Sequence, residues 1–258
     1  MNKVFTVELP IAAKDVFRLL ALRCVTETPD LFSKIRDYFD CIYSGINTTP
    51  RLDESEFGRK PFAYIHEGLS IAETAYERMT ERQLCAAKNA FFGKLFDPIG
   101  KVIDYELPLD DKKDSAFGKV DLVSIKDDTM FLLEVKKCVS NEHPLRAMFE
   151  IFTFWRTLAS EDGSYNRFLE AYRASHVIPD NIRKVVPALL LCESSDVMAE
   201  LKTGLKNEAV QSELCELFIG PRIGMQVFSY SKDSLFVKEE TANIKKCLAS
   251  IRKNDGLQ

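Results

Sequence analysis

Asp121, Glu134 and Lys136 have the residue types and spacing for phosphoester chemistry. They lie in the stretch GKVDLVSIKDDTMFLLEVKK, residues 118–137. Apolar β-formers flank a polar Lys126-Asp127-Asp128 tip, a composition that predicts two strands joined by a tight turn. With Asp127 and Asp128 as the turn residues, Asp121 falls opposite Glu134, and Lys119 falls opposite Lys136. Side chains alternate along a strand, so all four are expected on one face. Like charges directly opposed in a sheet destabilise it. A divalent cation between the carboxylates and a phosphate beside the lysines would relieve both conflicts. Mg²⁺, or Mn²⁺ in its place, takes hard oxygen ligands and keeps several waters. Such an ion polarises a phosphoryl oxygen and lowers the pKa of an attacking water. Lys136 is then placed to orient that water and to stabilise charge on the phosphate. The blander reading is an ion-pair cluster at the strand ends, with Lys119 and Lys136 satisfying Asp121 and Glu134.

The elements that must position these residues can be read along the chain. Residues 3–9 read as a strand, and helical patterns follow at 11–23 and 30–43. Residues 44–60 mix Gly, Thr, Pro and charge without periodicity, as a linker does. The apolar stripe of Phe62, Ile65, Leu69, Ala72, Tyr76 and Met79 predicts a long helix over 62–92, broken at most once. Asp97-Pro98-Ile99-Gly100 reads as a turn, and 101–109 as a strand before the hairpin. Pro144 opens a helix to about residue 159, with Leu145, Met148, Phe149, Phe152 and Trp155 as its buried stripe. A second helical stretch is expected at 164–175, a buried strand at 185–193 and a helix at 196–218. A hairpin of 225–230 with 234–239 and a closing helix at 241–253 complete the pattern. In the hairpin, Val120, Leu122, Leu133 and Val135 are expected on one face, and Val123, Ile125, Met130 and Leu132 on the other. Strands apolar on both faces are usually covered by helices on both sides.

Gly118-Lys119-Val120-Asp121 followed by Glu134-Val135-Lys136 resembles the signature of the PD-(D/E)XK nuclease superfamily, with a variation common in its RecB-like branches. The resemblance covers the hairpin firmly and about half of the chain loosely. It implies an α/β fold with a restriction-endonuclease-like core, a central mixed sheet flanked by helices, here with an N-terminal helical addition. Residues 1–60 would form the N-terminal strand, helical cap and linker, and residues 61–258 the nuclease-like domain. It implies metal ligation by Asp121, Glu134 and the backbone carbonyl of Val135, with Lys136 handling the nucleophile. The helix before the first core strand often supplies another ligand in this family. Glu73, at the edge of the apolar stripe, is the residue chosen for that role. Tyr64-Ile65-His66-Glu67 resembles the metal-binding helix histidine of RecB-like nucleases, which implies His66 as a metal ligand; the reading preferred for both Glu73 and His66 is a helix edge with an ordinary histidine. The Gln-x-x-x-Tyr pair of many RecB-like members is absent, since Glu150-Ile151-Phe152-Thr153-Phe154 stands in the corresponding region. Glu-x-Lys also occurs at Glu200-Leu201-Lys202, in an amphipathic segment with no opposed strand, where it reads as a solvated face.

Bulk properties bound the function. The chain has 258 residues, 46% hydrophobic and 29% charged, an ordinary globular composition. A net charge of −4 and the lack of a basic block give no general attraction to nucleic acid. Seven cysteines occur singly, without a CxxC pair; the expectation is reduced thiols in a cytoplasmic protein, with neither a disulfide framework nor a zinc or iron–sulfur site. Met1-Asn2-Lys3 leads into a strand pattern rather than a signal peptide. No apolar run approaches the roughly 18–20 residues of a membrane span. The expected activity is Mg²⁺-dependent hydrolysis of nucleic-acid phosphodiesters, with DNA as the expected substrate. A homodimer is expected if paired cuts are made in a duplex. The alternative is a binding module, for nucleic acid or protein, that keeps the fold without catalysis.

Overall fold

The computed structural model describes residues 66–72, 75–108, 119–158, 169–170, 172–174, 178–203, 215, 218–220 and 223–255. The expected N-terminal strand, cap and linker lie outside them, as do Glu73 and Gly118. The described chain is α/β, built on a mixed seven-stranded sheet in which strands follow one another in sequence order. The strands are β1 (Leu95–Phe96), β2 (Gly100–Pro108), β3 (Lys119–Lys126), β4 (Thr129–Lys136), β5 (Lys184–Cys192), β6 (Gln226–Tyr230) and β7 (Val237–Glu239). The helices are α1 (Glu81–Ala86), α2 (Pro144–Leu158), α3 (Asp196–Thr203) and α4 (Thr241–Asp255). Strands β1 to β4 run antiparallel to their neighbours, β4–β5–β6 are parallel, and β7 turns back on β6.

The central hairpin forms in the expected register. Its ladder runs from Lys126 opposite Thr129 to Leu122 opposite Leu133. Asp127 adopts φ 54°, a left-handed conformation that tight hairpin turns require and Asp tolerates. β4 is buried from Met130 to Lys136, so both faces of the strand are covered. Leu132, Met130, Val123 and Leu189 pack with α2, α3 and α4 in one core layer. Leu122, Leu133, Val135 and Leu190 pack in the other with α1 and the segment around it. Helix α2 matches its predicted stripe: Leu145, Met148, Phe149 and Phe152 are buried, and the Trp155 indole N–H donates to Val185 O at 2.8 Å.

Four sequence expectations are corrected. The long helix over 62–92 is absent among its described residues. Leu69 instead makes a parallel bridge to Ala87, a 3-10 turn covers Tyr76–Arg78, and only Glu81–Ala86 is α-helical. Of the described stripe residues only Met79 is buried, Tyr76 is half-buried, and Leu69 and Ala72 are exposed. Thr80 starts a new helix with a capping box, and Gly68 lets the backbone lie against the Phe92 ring, where a Cβ would collide. Val120 lies in the layer of α2 rather than with Leu122. The change of face occurs beside Glu106, whose φ of 46° is left-handed; Leu107 and Val120 pair beyond it, Tyr105 and Leu122 before it. Lys119 does not oppose Lys136 but pairs with Glu106 at 3.7 Å on the neighbouring strand. Finally, Cys138 and Cys192 form a disulfide, with Cα atoms 4.9 Å apart, against the expectation of reduced thiols. Parallel pairing of β4 with β5 sets Lys136 beside Leu191, so residues distant in sequence meet just past the strand ends. Cys85 is a buried free thiol.

Candidate active site

The site lies where the antiparallel hairpin β3–β4 meets the parallel set β4–β5–β6, at the carboxyl end of β4. The β3–β4 ladder stops at Leu122 and Leu133. Beyond it, Asp121 Oδ2 accepts a hydrogen bond from Val135 N–H at 2.8 Å. The side chain thus takes over the acceptor role of a backbone carbonyl, and the strands separate with Asp121 and Glu134 held between them. Glu134 and Lys136, two residues apart on one face, point toward the α2 side.

Lys136 is the hub. Its Nζ lies 2.6 Å from Glu134 Oε1, 2.7 Å from Glu142 Oε2 and 3.8 Å from Glu150 Oε2. Glu142 precedes α2 and is held on its other oxygen by Arg146 at 2.9 Å. Glu150 comes from the second turn of α2. Glu134 is 3% exposed and Lys136 5%; the ion pair of Lys136 with Glu134 that the blander reading expects is present and buried, whereas Lys119 pairs with Glu106. The Lys136 backbone carbonyl also accepts from the Tyr230 hydroxyl of β6 at 3.4 Å.

The electrostatics follow from burial. Burial raises the Asp121 carboxyl to about 7, although the Lys136 ammonium and the Val135 N–H pull it down and Glu81 and Glu150 push it further up. Glu134 is raised well above the carboxylate range by burial and then by Asp121, against the pull of Lys136. Burial disfavours the Lys136 charge, but Glu134, Glu150 and Glu142 outweigh it and hold the ammonium well above its usual range. Desolvation also raises the buried Cys85 thiol, with Asp121, Glu81 and Glu134 adding to it. Four carboxylates therefore gather around one lysine, and the pair Asp121–Glu134 cannot be fully ionised without further positive charge.

Glu81, the first residue of α1, is the functional candidate that sequence reasoning missed. Its Oε1 accepts from Lys137 N–H at 3.3 Å, and its charge acts on Asp121. Thr80 fixes its position: the Thr80 hydroxyl accepts from Gln83 N–H at 3.1 Å, and the Gln83 side chain accepts from Thr80 N–H at 2.9 Å. The signal was present as Thr80-Glu81-Arg82-Gln83, a capping-box pattern that begins a helix. It was hidden by the apolar stripe that runs through it.

His66 occupies a different place from the one expected. It is outside any helix; its Nδ1–H donates to Asp104 Oδ1 at 2.9 Å and its ring lies 4.6 Å from that of Tyr105. Asp104 is fully buried and accepts also from the Tyr172 hydroxyl at 2.8 Å. The Arg156 side chain lies outside the described ones. Among the described residues no group of three or more His, Cys, Asp or Glu side chains is arranged to hold a metal ion; the carboxylates surround Lys136 Nζ instead. Two carboxylates and a carbonyl nevertheless suit Mg²⁺, which uses one or two protein carboxylates and keeps its waters.

No family model, no curated protein and no solved structure matches this chain.

Proposed function

We propose that the chain is a metal-dependent phosphodiesterase acting on nucleic acid, with DNA as the preferred substrate class and a restriction-endonuclease-like core. One observation carries this reading: half-buried Asp121 of β3 and buried Glu134 of β4 share one end of the hairpin, each raised by desolvation and by negative neighbours, beside a buried lysine. Such a pair is costly to a resting fold, and perturbed groups of this kind cluster at functional sites. Asp121, Glu134 and the Val135 carbonyl would hold Mg²⁺ or Mn²⁺, with Glu81, whose charge acts on Asp121, as a further carboxylate to join them. The bound ion would supply a polarised phosphoryl oxygen and a water of lowered pKa.

The chain's own residues do the rest. Val135 N–H orients Asp121. Lys136 keeps its proton at neutral pH, because three carboxylates favour the ammonium. It therefore serves as a donor to the phosphate and to the attacking water, rather than as a general base. The proton of that water must pass to a carboxylate or to solvent, and Glu150, at 3.8 Å from Lys136 Nζ, is the acceptor closest to the hub beyond its two short partners. The proposed location remains the cytoplasm; among the described residues no helix is long and apolar enough to cross a membrane. A homodimer is part of the proposal only for paired duplex cuts.

The test is cleavage of circular and linear, single- and double-stranded DNA with Mg²⁺, Mn²⁺ or EDTA. Metal-dependent cutting that Glu134→Gln abolishes supports the reading. Mn²⁺ binding without cleavage of DNA or RNA would move the weight to the non-catalytic binding module. Neither binding nor cleavage sinks both.

A further inference from the structure

The Cys138–Cys192 bond sits two residues past Lys136 and ties the turn after β4 to the last residue of β5. That turn is short: Ser140 N–H donates to Lys137 O at 3.0 Å. It leads directly to Glu142, whose Oε2 lies 2.7 Å from Lys136 Nζ. Glu142 is thus an internal anion on the lysine that would receive a phosphate, and the segment presenting it is covalently pinned. The two sulfurs differ in access. Cys192 is fully buried, whereas Cys138 is half-buried next to Val139, which is 74% exposed. Ser194 Oγ lies 3.4 Å from Cys192 Sγ; with the disulfide formed, only the hydroxyl has a proton to donate, so it is placed to stabilise sulfur leaving as a thiolate.

We propose that the Cys138–Cys192 disulfide is a reversible redox lock that holds Glu142 on Lys136, and that its reduction opens the lysine to an incoming anion. The co-reactant is a dithiol reductant. One of its thiolates attacks the accessible Cys138 sulfur, the S–S bond breaks, and Cys192 leaves as a thiolate that takes up a proton. The second reductant thiol then displaces Cys138 from the mixed disulfide. Two electrons and two protons pass to the protein, and the reductant departs as its own disulfide. Without the bond, the turn over 137–143 keeps its hydrogen bonds, its ion pairs and the packing of Cys138 and His143, and Glu142, between those two residues, can swing away from Lys136. The lock stands on the geometry alone; its consequence for cleavage rests on the phosphodiesterase reading.

The test compares protein purified without reductant with the same protein reduced by dithiothreitol and desalted. Thiol alkylation, read by peptide mass spectrometry, reports Cys138 and Cys192. Hydrogen exchange reports the amides of 137–143, and an amine-reactive ester reports access to Lys136. Reduction is expected to speed both exchange and Lys136 acylation by about fivefold or more, the size expected when a local opening loses its main restraint. Cys138→Ser/Cys192→Ser should match the reduced form with or without dithiothreitol. Glu142→Gln should acylate quickly even with the bond intact. Thiols already open to alkylation before reduction, or equal exchange and acylation in the two states, overturn the lock. Cleavage of linear single-stranded DNA with Mg²⁺, run on both states, should rise on reduction. Its absence in both states counts against the phosphodiesterase alone, because exchange and acylation still decide the lock.

Discussion

A half-buried carboxyl group beside a buried one leaves a signature in stability. Asp121 titrates near 7 in the folded protein but near 3.9 in an unfolded chain. Its folded form holds a proton that the unfolded form releases, so its contribution to stability is present at low pH and is lost as pH rises from about 4 to about 7. Asn cannot ionise and keeps the acceptor for Val135 N–H. The stability of Asp121→Asn relative to the parent should therefore grow across that window, by up to about 1.4 kcal/mol per pH unit, and level off above it. Urea unfolding from pH 4 to 8 checks this; parallel curves would mean that Asp121 is solvated. Lys136→Ala is a harsher change. It strands Glu134, Glu142 and Glu150 around a cavity, and removing one partner of a buried ion pair costs about 3–5 kcal/mol. Loss of cleavage in Lys136→Ala is informative only beside its unfolding curve, which makes Glu134→Gln the cleaner probe.

At the scale of elements, the short helix α1 decides whether a third acidic group reaches the site. The capping box at Thr80 starts the helix one residue before Glu81. Thr80→Ala should cost about 1 kcal/mol, the usual effect of a lost N-cap. If Glu81 shares the metal, Glu81→Gln should weaken Mn²⁺ binding about tenfold or more, and Thr80→Ala should weaken it less. Mn²⁺ titration of the two variants separates a metal role from a structural one; unchanged binding in Glu81→Gln removes the residue from the site. The entry to β2 has a comparable dependence on one residue. Gly100 has φ 76° and faces the Ile125 carbonyl, where any Cβ would collide. Gly100→Ala should therefore disturb the β2–β3 pairing that carries Asp104 and Glu106.

For the whole molecule, the disulfide is the long-range device. It closes a sequence separation of 54 residues between neighbouring parallel strands. A cross-link of that span stabilises by about 4 kcal/mol in the chain-entropy treatment. Cys138→Ser/Cys192→Ser should lower the unfolding midpoint in urea and raise the m-value, because the unlinked unfolded chain exposes more surface. An unchanged m-value with an unchanged midpoint would mean that the bond does not form in solution.

The hairpin was legible because its information is local: alternating apolar residues and two adjacent Asp residues determine strands, turn and register within a short stretch. The same holds for α2, the closing helix and the buried strand β5, where period or apolar run length is unambiguous. Periodicity failed over 62–92 because an apolar repeat is not by itself a buried helix face: of its described members only Met79 is buried. There the capping residue and the close approach of Gly68 to Phe92 outweighed the stripe. The sequence by itself therefore determined the strands and the turn that hold Asp121, Glu134 and Lys136. Only the tertiary structure decided their company: Glu142 and Glu150 on Lys136, Glu81 beside Asp121, Asp104 under His66, and Cys138 joined to Cys192. Those contacts come from strand pairing and helix packing between distant segments, and side-chain periodicity carries no record of which segments will meet.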